Sequence, residues 1–261
     1  MRGTDFFPGA SVSYSTKRKS GFTALEFEGF RRMAVPLMAT ARIVTERFFT
    51  SELLEAYLGR RSGQSVLNGQ IGRGEVRRIN CALLYSDMWG STALSQQMSP
   101  EAFLATLNRY FDCVAGAVLD HGGEVLKFIG DGLLAIFPFE DTRQSREDIC
   151  ATALLVAREA FDHSARIPDA DKVKFGIALH AGEVIYGNVG TEKRLDFTVT
   201  GSAVAKVSRV EGLTRKLDAQ LLATDTFARY LSEPAQHLGG FDLRGFDKNV
   251  EVVSYDISPQ P

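Results

Sequence analysis

Residues 126–137 read LKFIGDGLLAIF, a mostly apolar stretch with two charges set into it. The flanks alternate and are rich in Val, Leu, Ile and Phe, the pattern of β-strand. Asp131-Gly132 is a two-residue hairpin turn signal. The spacing therefore predicts a hairpin over 124–137 with a carboxylate at its tip and Lys127 inside its first strand. Burying either charge without a partner is expensive. Asp131 thus asks for a cation, and Lys127 either faces a pocket or snorkels from an edge strand.

Around the hairpin the periods switch regularly. INCALLYSD (79–87) reads as a buried strand running into a loop. Residues 99–121 read as a helix capped by Ser99, with Pro100 at its first position and Gly122 past its end. A second helix is expected over 145–165. KVKFGIALHAGEVIYGNVG (172–190) reads as a strand, an Ala-Gly turn and a second strand. RLDFTVTG is extended, SAVAKVSRVEGLTRKL is a helix, and a short helix to 232 and two terminal strands follow. This order predicts an α+β sheet with helices on one face.

Upstream, residues 10–22 read as a short strand and a polar turn. Thr23 and Glu26 have capping-box spacing, opening one or two amphipathic helices. The stretch 58–78 is rich in Gly, Arg and polar residues and reads as a connector. The expected organisation is an N-terminal helical and connector region over 1–75 and a second domain over 76–261.

Bulk properties narrow the function. The chain has 261 residues, 44% hydrophobic and 24% charged, with net charge −2. Near-neutrality gives no reason to expect nucleic acid. No apolar run reaches transmembrane length, and the N-terminus lacks the apolar core of a secretion signal. Cys81, Cys113 and Cys150 lie in apolar surroundings and read as free thiols of a cytoplasmic protein. Structural zinc is not expected, because no CxxC or HExxH spacing is present. His180 reads as a strand residue with a satisfied hydrogen bond.

The chemistry concentrates at YSDMWGST, 85–92. Asp87 ends the apolar run, and Gly90, Ser91 and Thr92 precede a helix. Small residues there expose backbone N–H groups to phosphate. Alone, Asp87 either caps a turn or holds a hard cation. With Asp131 it forms a pair suited to Mg²⁺, which takes one or two carboxylates and completes its shell with phosphate and water.

YSDMWGST, LKFIGDGLLAIF and RLDFTVTGSAVAKVSRVE, in this order and separation, resemble the class III nucleotide cyclase catalytic domain, of bacterial type. The resemblance covers roughly residues 76–257. It implies a ferredoxin-like α+β domain with a mixed, largely antiparallel sheet, working as a head-to-tail homodimer. Asp87, Asp131 and the Met88 carbonyl match ligands of two Mg²⁺ or Mn²⁺ ions per site. Lys127 matches a purine-reading residue supplied by the partner chain, and Thr198 falls at the second purine-reading position. An ammonium donates to the adenine N1 acceptor, whereas guanine presents a different donor–acceptor order, so ATP is the expected substrate. Arg209 matches the arginine that stabilises charge on the α-phosphate, a role suited to a planar, always charged guanidinium.

The resemblance has gaps. Ala205 stands where the family's helix usually offers an asparagine, on the same face as Arg209. Losing one such donor costs about 10²–10³ in rate, with oxyanion-hole variants as the guide. Ser202 and Ser208 are within reach of that place, and Lys206 points about 100° away on an ideal helix. Many members carry a triphosphate-gripping lysine near Phe246. Here Lys248, two residues on, either replaces it or is an ordinary solvated lysine. Trp89 is unusual beside Asp87 and is expected to stack on a partner or fill an interface. The implied function is an adenylate cyclase making cyclic AMP; the alternative is a degenerate domain that binds nucleotide or a partner without efficient turnover. The N-terminal stretch resembles the last strand and helix of a GAF-like sensor, whose helix either transmits a signal or only dimerises.

Overall fold

Two long partners frame the central strand of the computed structural model, which describes residues 12–140, 143–168 and 172–257. Strand β1 (Val76–Met88) pairs antiparallel with β4 (Phe175–Thr191), from Val76↔Gly187 to Met88↔Phe175. Its other edge pairs with β3 (Gly132–Pro138), from Cys81↔Pro138 to Asp87↔Gly132. Ala82, Leu84 and Met88 enter one core; Ile79, Cys81 and Leu83 enter another on the opposite face. A strand buried on both faces reads as a continuous apolar run, as INCALLYSD does.

The sheet order is β2-β3-β1-β4-β6-β8-β7, with β5 paired to β4. Here β2 is Glu124–Ile129, β5 Arg194–Thr200, β6 Leu221–Thr224, β7 Gln236–Phe241 and β8 Val250–Ser254. Only β4–β6 is parallel, so the sheet is mixed and largely antiparallel, as expected. Helices α4 (Pro100–Asp120) and α5 (Arg146–Ala165) cover the first face through Tyr110, Val114, Ala153 and Ala157. Helix α6 (Ser202–Leu217) covers the second through Ala203, Val207 and Val210. Helices on one face were expected; the second apolar face requires its own cover.

Four local expectations are corrected. The strand pair over 172–190 is one strand, because Ala181↔Ala82 and Gly182↔Cys81 continue the ladder. Gly182 serves packing: a Cβ there would lie 3.1 Å from the Ala203 Cβ of α6. The hairpin loop is Gly130-Asp131, one residue earlier than Asp131-Gly132, and Ile129↔Gly132 closes it. Gly130 has φ +65° and Asp131 no positive φ, as in a type II′ turn. Ser91 and Thr92 lie in the first turn of a short helix, α3 (Ser91–Gln97). Near the C-terminus, α7 (Asp225–Ala228) is shorter than expected. The Ser99 cap is present, and Ser145 forms a capping box with Asp148.

The chain divides into two units between Tyr57 and Leu58, ahead of the boundary expected near 75. Residues 58–75 belong with the sheet because they are anchored there. In α2 (Arg60–Leu67) the Ser62 N–H and hydroxyl donate to Glu124 Oε1 at 3.0 and 2.5 Å. The Tyr186 hydroxyl donates to Glu124 Oε2 at 3.0 Å. Gly74 N–H donates to the Asn188 carbonyl at 3.2 Å. In the other unit, α1 (Ala24–Leu58) opens on the expected Thr23–Glu26 box and buries none of its residues. Residues 12–22 form no strand, which removes the strand half of the GAF-like resemblance; residues 10 and 11 lie outside the described residues.

Ser62→Ala removes one donor from a buried carboxylate. Urea unfolding should show a loss of about 1–3 kcal/mol. Unchanged stability would mean that Glu124 does not anchor α2.

Candidate active site

The register Asp87↔Gly132 sets the site, because it puts the turn residue Asp131 beside the end of β1. A Cβ at Gly132 would lie 3.1 Å from Asp87 Oδ1 and 3.3 Å from the Ser86 carbonyl. Glycine therefore leaves the carboxylate its room. Both acids are half-buried, and neither is hydrogen-bonded or ion-paired to any described residue. Burial first, and the Asp131 charge second, push the Asp87 carboxyl up to about 6, against a pull from Arg215.

A third acid lies near. Glu211, on α6, is only 6% exposed. Burial and then the Asp87 charge push its carboxyl up to about 8. Thr214 Oγ1 donates to Glu211 Oε1 at 3.2 Å, and Trp89 Nε1 donates to Thr214 Oγ1 at 3.2 Å. Trp89 is therefore half-buried and tied to α6 of its own chain, not free to stack as expected.

The donor set suits a hard divalent cation. Asp87 and Asp131 offer oxygens only, while Met88 has its side chain in the core and only its backbone for the site. Among the described residues no group of three or more His, Cys, Asp or Glu could hold a metal by itself. A cation here would complete its shell with other ligands, as Mg²⁺ habitually does with phosphate and water.

The residues expected to read the nucleotide lie on other elements. Around Leu126 a bulge shifts the register from Val125↔Ala135 to Lys127↔Leu134, and bulges re-aim side chains. Lys127 Nζ lies 3.9 Å from Asp196 Oδ2 on β5. Thr198, also on β5, is 5% exposed, yet its hydroxyl has no hydrogen-bond partner. Arg209 is exposed on α6, and its Nη1 donates to the Ala205 carbonyl at 3.2 Å. Ser208 faces the Tyr85 phenol, whose pKa burial raises and Ser208 lowers; Ser202 is exposed at the helix start. Gly90, at φ +75°, caps α3. Lys248 is exposed in the loop before β8. Among the described residues, no hydrogen bond or ion pair joins Asp87 or Asp131 to Lys127, Thr198 or Arg209.

His180 bonds Thr224 Oγ1 at 2.7 Å through Nδ1, and burial holds its pKa down at about 3. It is a satisfied core histidine, as expected. The three cysteines are free and buried.

Sequence reasoning missed Glu211, Thr214, Arg215 and Asp196. The first three sit in an ordinary-looking amphipathic helix, and Asp196 is an exposed strand residue. An acid one residue after Val210, on the apolar side of α6, was the one signal available.

Comparison with known proteins gives the family. A family model described as the adenylate and guanylate cyclase catalytic domain matches residues 75–254. An adenylate cyclase of Anabaena cylindrica is 32% identical over 218 residues, 81% of this chain. This chain spans 40% of that relative's length. The structure of a bacterial light-regulated adenylyl cyclase superimposes with TM-score 0.69 at 24% identity, covering 86% of this chain and 65% of that one. The guanylyl cyclase Cya2 superimposes with TM-score 0.59 at 25% identity, covering 70% and 93%.

Removing the like charge should release part of the Asp87 shift. In Asp131→Asn, the Asp87 carboxyl should titrate below about 6 but above its ordinary 3.8, since burial, the larger cause, remains. Carboxyl carbon NMR in metal-free buffer measures it. The raised value also means that the folded chain binds this proton more tightly than the unfolded chain. Its contribution to stability therefore falls as pH rises from 3.8 to about 6. An unshifted Asp87 in Asp131→Asn would show that the two acids do not interact.

Proposed function

This chain belongs to the adenylate and guanylate cyclase catalytic-domain family, and we propose that it is an adenylate cyclase converting ATP to 3′,5′-cyclic AMP and pyrophosphate. The observation that carries the reading is the pair Asp87 and Asp131, held together by the Gly132 register without a described partner. Buried like charges without donors are costly, and a divalent cation with a nucleotide triphosphate relieves that cost. Asp87, Asp131 and the Met88 carbonyl would hold Mg²⁺ or Mn²⁺, two ions per site. When bound, the ions supply charge neutralisation at the phosphates and make the ribose hydroxyl more acidic.

The remaining work is done by this chain's residues. The ribose 3′-oxygen attacks the α-phosphorus, the bridge to the β-phosphate breaks, and pyrophosphate leaves with both bridge electrons. The hydroxyl proton goes to solvent. No protein nucleophile is needed, so positioning and charge supply the rate. Lys127 donates to adenine N1, held in place by Asp196, and the idle Thr198 hydroxyl completes the purine contacts. Arg209 meets charge growing on the α-phosphate. The N–H groups of Gly90, Ser91 and Thr92 face the phosphates.

Among the described residues no hydrogen bond or ion pair joins the acids to Lys127 or Thr198 of the same chain. A head-to-tail homodimer brings the acids of one copy to Lys127, Thr198 and Arg209 of the other, giving two sites per twofold pair. Ala205 offers no side-chain donor beside Arg209, which makes the enzyme slow. That position is also the feature favouring the second reading, nucleotide binding without efficient turnover. No helix among the described residues is long and apolar enough to cross a membrane. The ATP substrate and the three free thiols support a cytoplasmic activity.

The test is product formation from ATP and GTP with Mg²⁺ or Mn²⁺. ATP should give cyclic AMP, and Asp87→Asn or Asp131→Asn should abolish it with either ion. Lys127→Glu combined with Thr198→Cys should weaken ATP use and admit GTP. Activity surviving in either acid variant would overturn the paired-acid site. Unchanged preference in the double variant would remove Lys127 and Thr198 from the purine.

A further inference from the structure

Lys127 and Thr198 stand on strands that no ladder joins directly. Lys127 is on β2 and Thr198 on β5; among the described residues β2 pairs only with β3, and β5 only with β4. The sheet connects them through β3, β1 and β4 in turn. The fine spacing of the two side chains is therefore set by contacts that bridge this gap. One bridge is Lys127–Asp196, at 3.9 Å, with the Asp196 side chain 67% exposed. Asp196 orients the ammonium, but an ion pair this exposed contributes little to holding two strands.

The other bridge is buried. Glu124, three residues before Lys127, accepts from the Tyr186 hydroxyl through Oε2 at 3.0 Å and from the Ser62 hydroxyl and N–H through Oε1. The Tyr186 ring meets the Phe197 ring edge-on, with centroids 4.9 Å apart. Phe197 is the residue between Asp196 and Thr198. The Arg77 guanidinium lies over the same Tyr186 ring, 5.5 Å from its centroid. Hydrogen bonds to a carboxylate are strong where water is excluded, and edge-to-face rings have a preferred geometry. A continuous buried chain thus runs from the start of β2 to the middle of β5.

Helix α2 supports the same place. Gly59, just before it, has φ +82°, and a Cβ there would lie 3.2 Å from the Val125 carbonyl. Val125 opens the bulge around Leu126, which precedes Lys127. Val66, later in α2, packs against the cluster that contains Leu126, Tyr186 and Phe197. We propose that the Ser62–Glu124–Tyr186 network sets the spacing of Lys127 and Thr198, and through it the discrimination of adenine from guanine. This inference rests on the cyclase reading, in which both residues meet the purine. The three network residues touch no nucleotide and act as positioning residues. An ammonium displaced by about 1 Å loses its hydrogen bond to adenine N1, the contact that separates the two bases.

The test is calorimetric binding of α,β-methylene ATP and α,β-methylene GTP to the full chain in Mg²⁺ buffer. Neither can release pyrophosphate, and tripolyphosphate serves as the control for phosphate contacts. The parent should favour the ATP analogue. Tyr186→Phe keeps the ring on Phe197 but removes the hydroxyl. It should lower that preference about tenfold, the scale of one charge-assisted hydrogen bond lost at Lys127. The loss should fall on the ATP analogue, with the GTP analogue and tripolyphosphate held within about twofold. Ser62→Ala cuts the network from its other end and should act in the same direction. Glu124→Gln still accepts from Ser62 and reaches Tyr186, so its preference should stay within about threefold of the parent. Thermal melts check folding, and Ser62→Ala decides if Tyr186→Phe is unstable. A preference within about twofold of the parent in the folded variants would overturn the inference alone. Equal losses for all three ligands would also overturn it, since they would mean a merely structural role. A parent that binds tripolyphosphate without favouring the ATP analogue would overturn the purine assignment of Lys127 and Thr198, and the inference with it.

Discussion

Everything at the site depends on one register. Opposite Asp87 stands Gly132, where a Cβ would lie a tight 3.1 Å from Asp87 Oδ1, and the residue before Gly132 is Asp131. A one-residue slip would send every side chain of the hairpin to the other face. Such a slip is resisted along the whole length of β3, whose seven residues are all buried. The core on both faces of the sheet thus holds two carboxylates together, although burial first and the Asp131 charge second push Asp87 up to about 6.

A comparison within the molecule shows what that repulsion means. Glu124 is a buried carboxylate too, but Ser62 and Tyr186 supply it with donors from three directions. It is satisfied internally and fastens α2 to the sheet. Asp87 and Asp131 receive no hydrogen bond from the described residues. Glu211 stands behind them with its pKa raised to about 8, and the Glu211–Thr214–Trp89 chain ties α6 to the segment just after Asp87. The fold is therefore organised around an unmet demand for positive charge at the end of β1.

Much of this was legible in the sequence because it broke a local pattern. Asp87 and Asp131 interrupt apolar runs, and Lys127 sits inside a strand. Capping signals at Thr23 and Ser99 needed only neighbouring residues to be read. The errors have a common physical source in tertiary packing. Gly182 was taken for a turn, yet it makes room for Ala203. Residues 58–75 looked like solvent-facing linker, yet Ser62 meets a carboxylate 62 residues away. The turn was misplaced by one because Asp-Gly and Gly-Asp compete, and the Ile129↔Gly132 pair with Gly130 at φ +65° puts the loop at Gly-Asp. Asp196 carries no local signal, and Glu211 only its place on the apolar side of α6, since each depends on a neighbouring strand or helix.

The central claim is that the acid pair of one copy works with the purine and phosphate readers of another. Mixing Asp87→Ala with Arg209→Ala tests it most directly, with heterodimer formation verified by differently tagged chains. Each variant alone should make no cyclic AMP. The mixture should recover activity, because the heterodimer contains one site with both residues intact and one with neither. A verified heterodimer that stays as inactive as its parents would contradict the account.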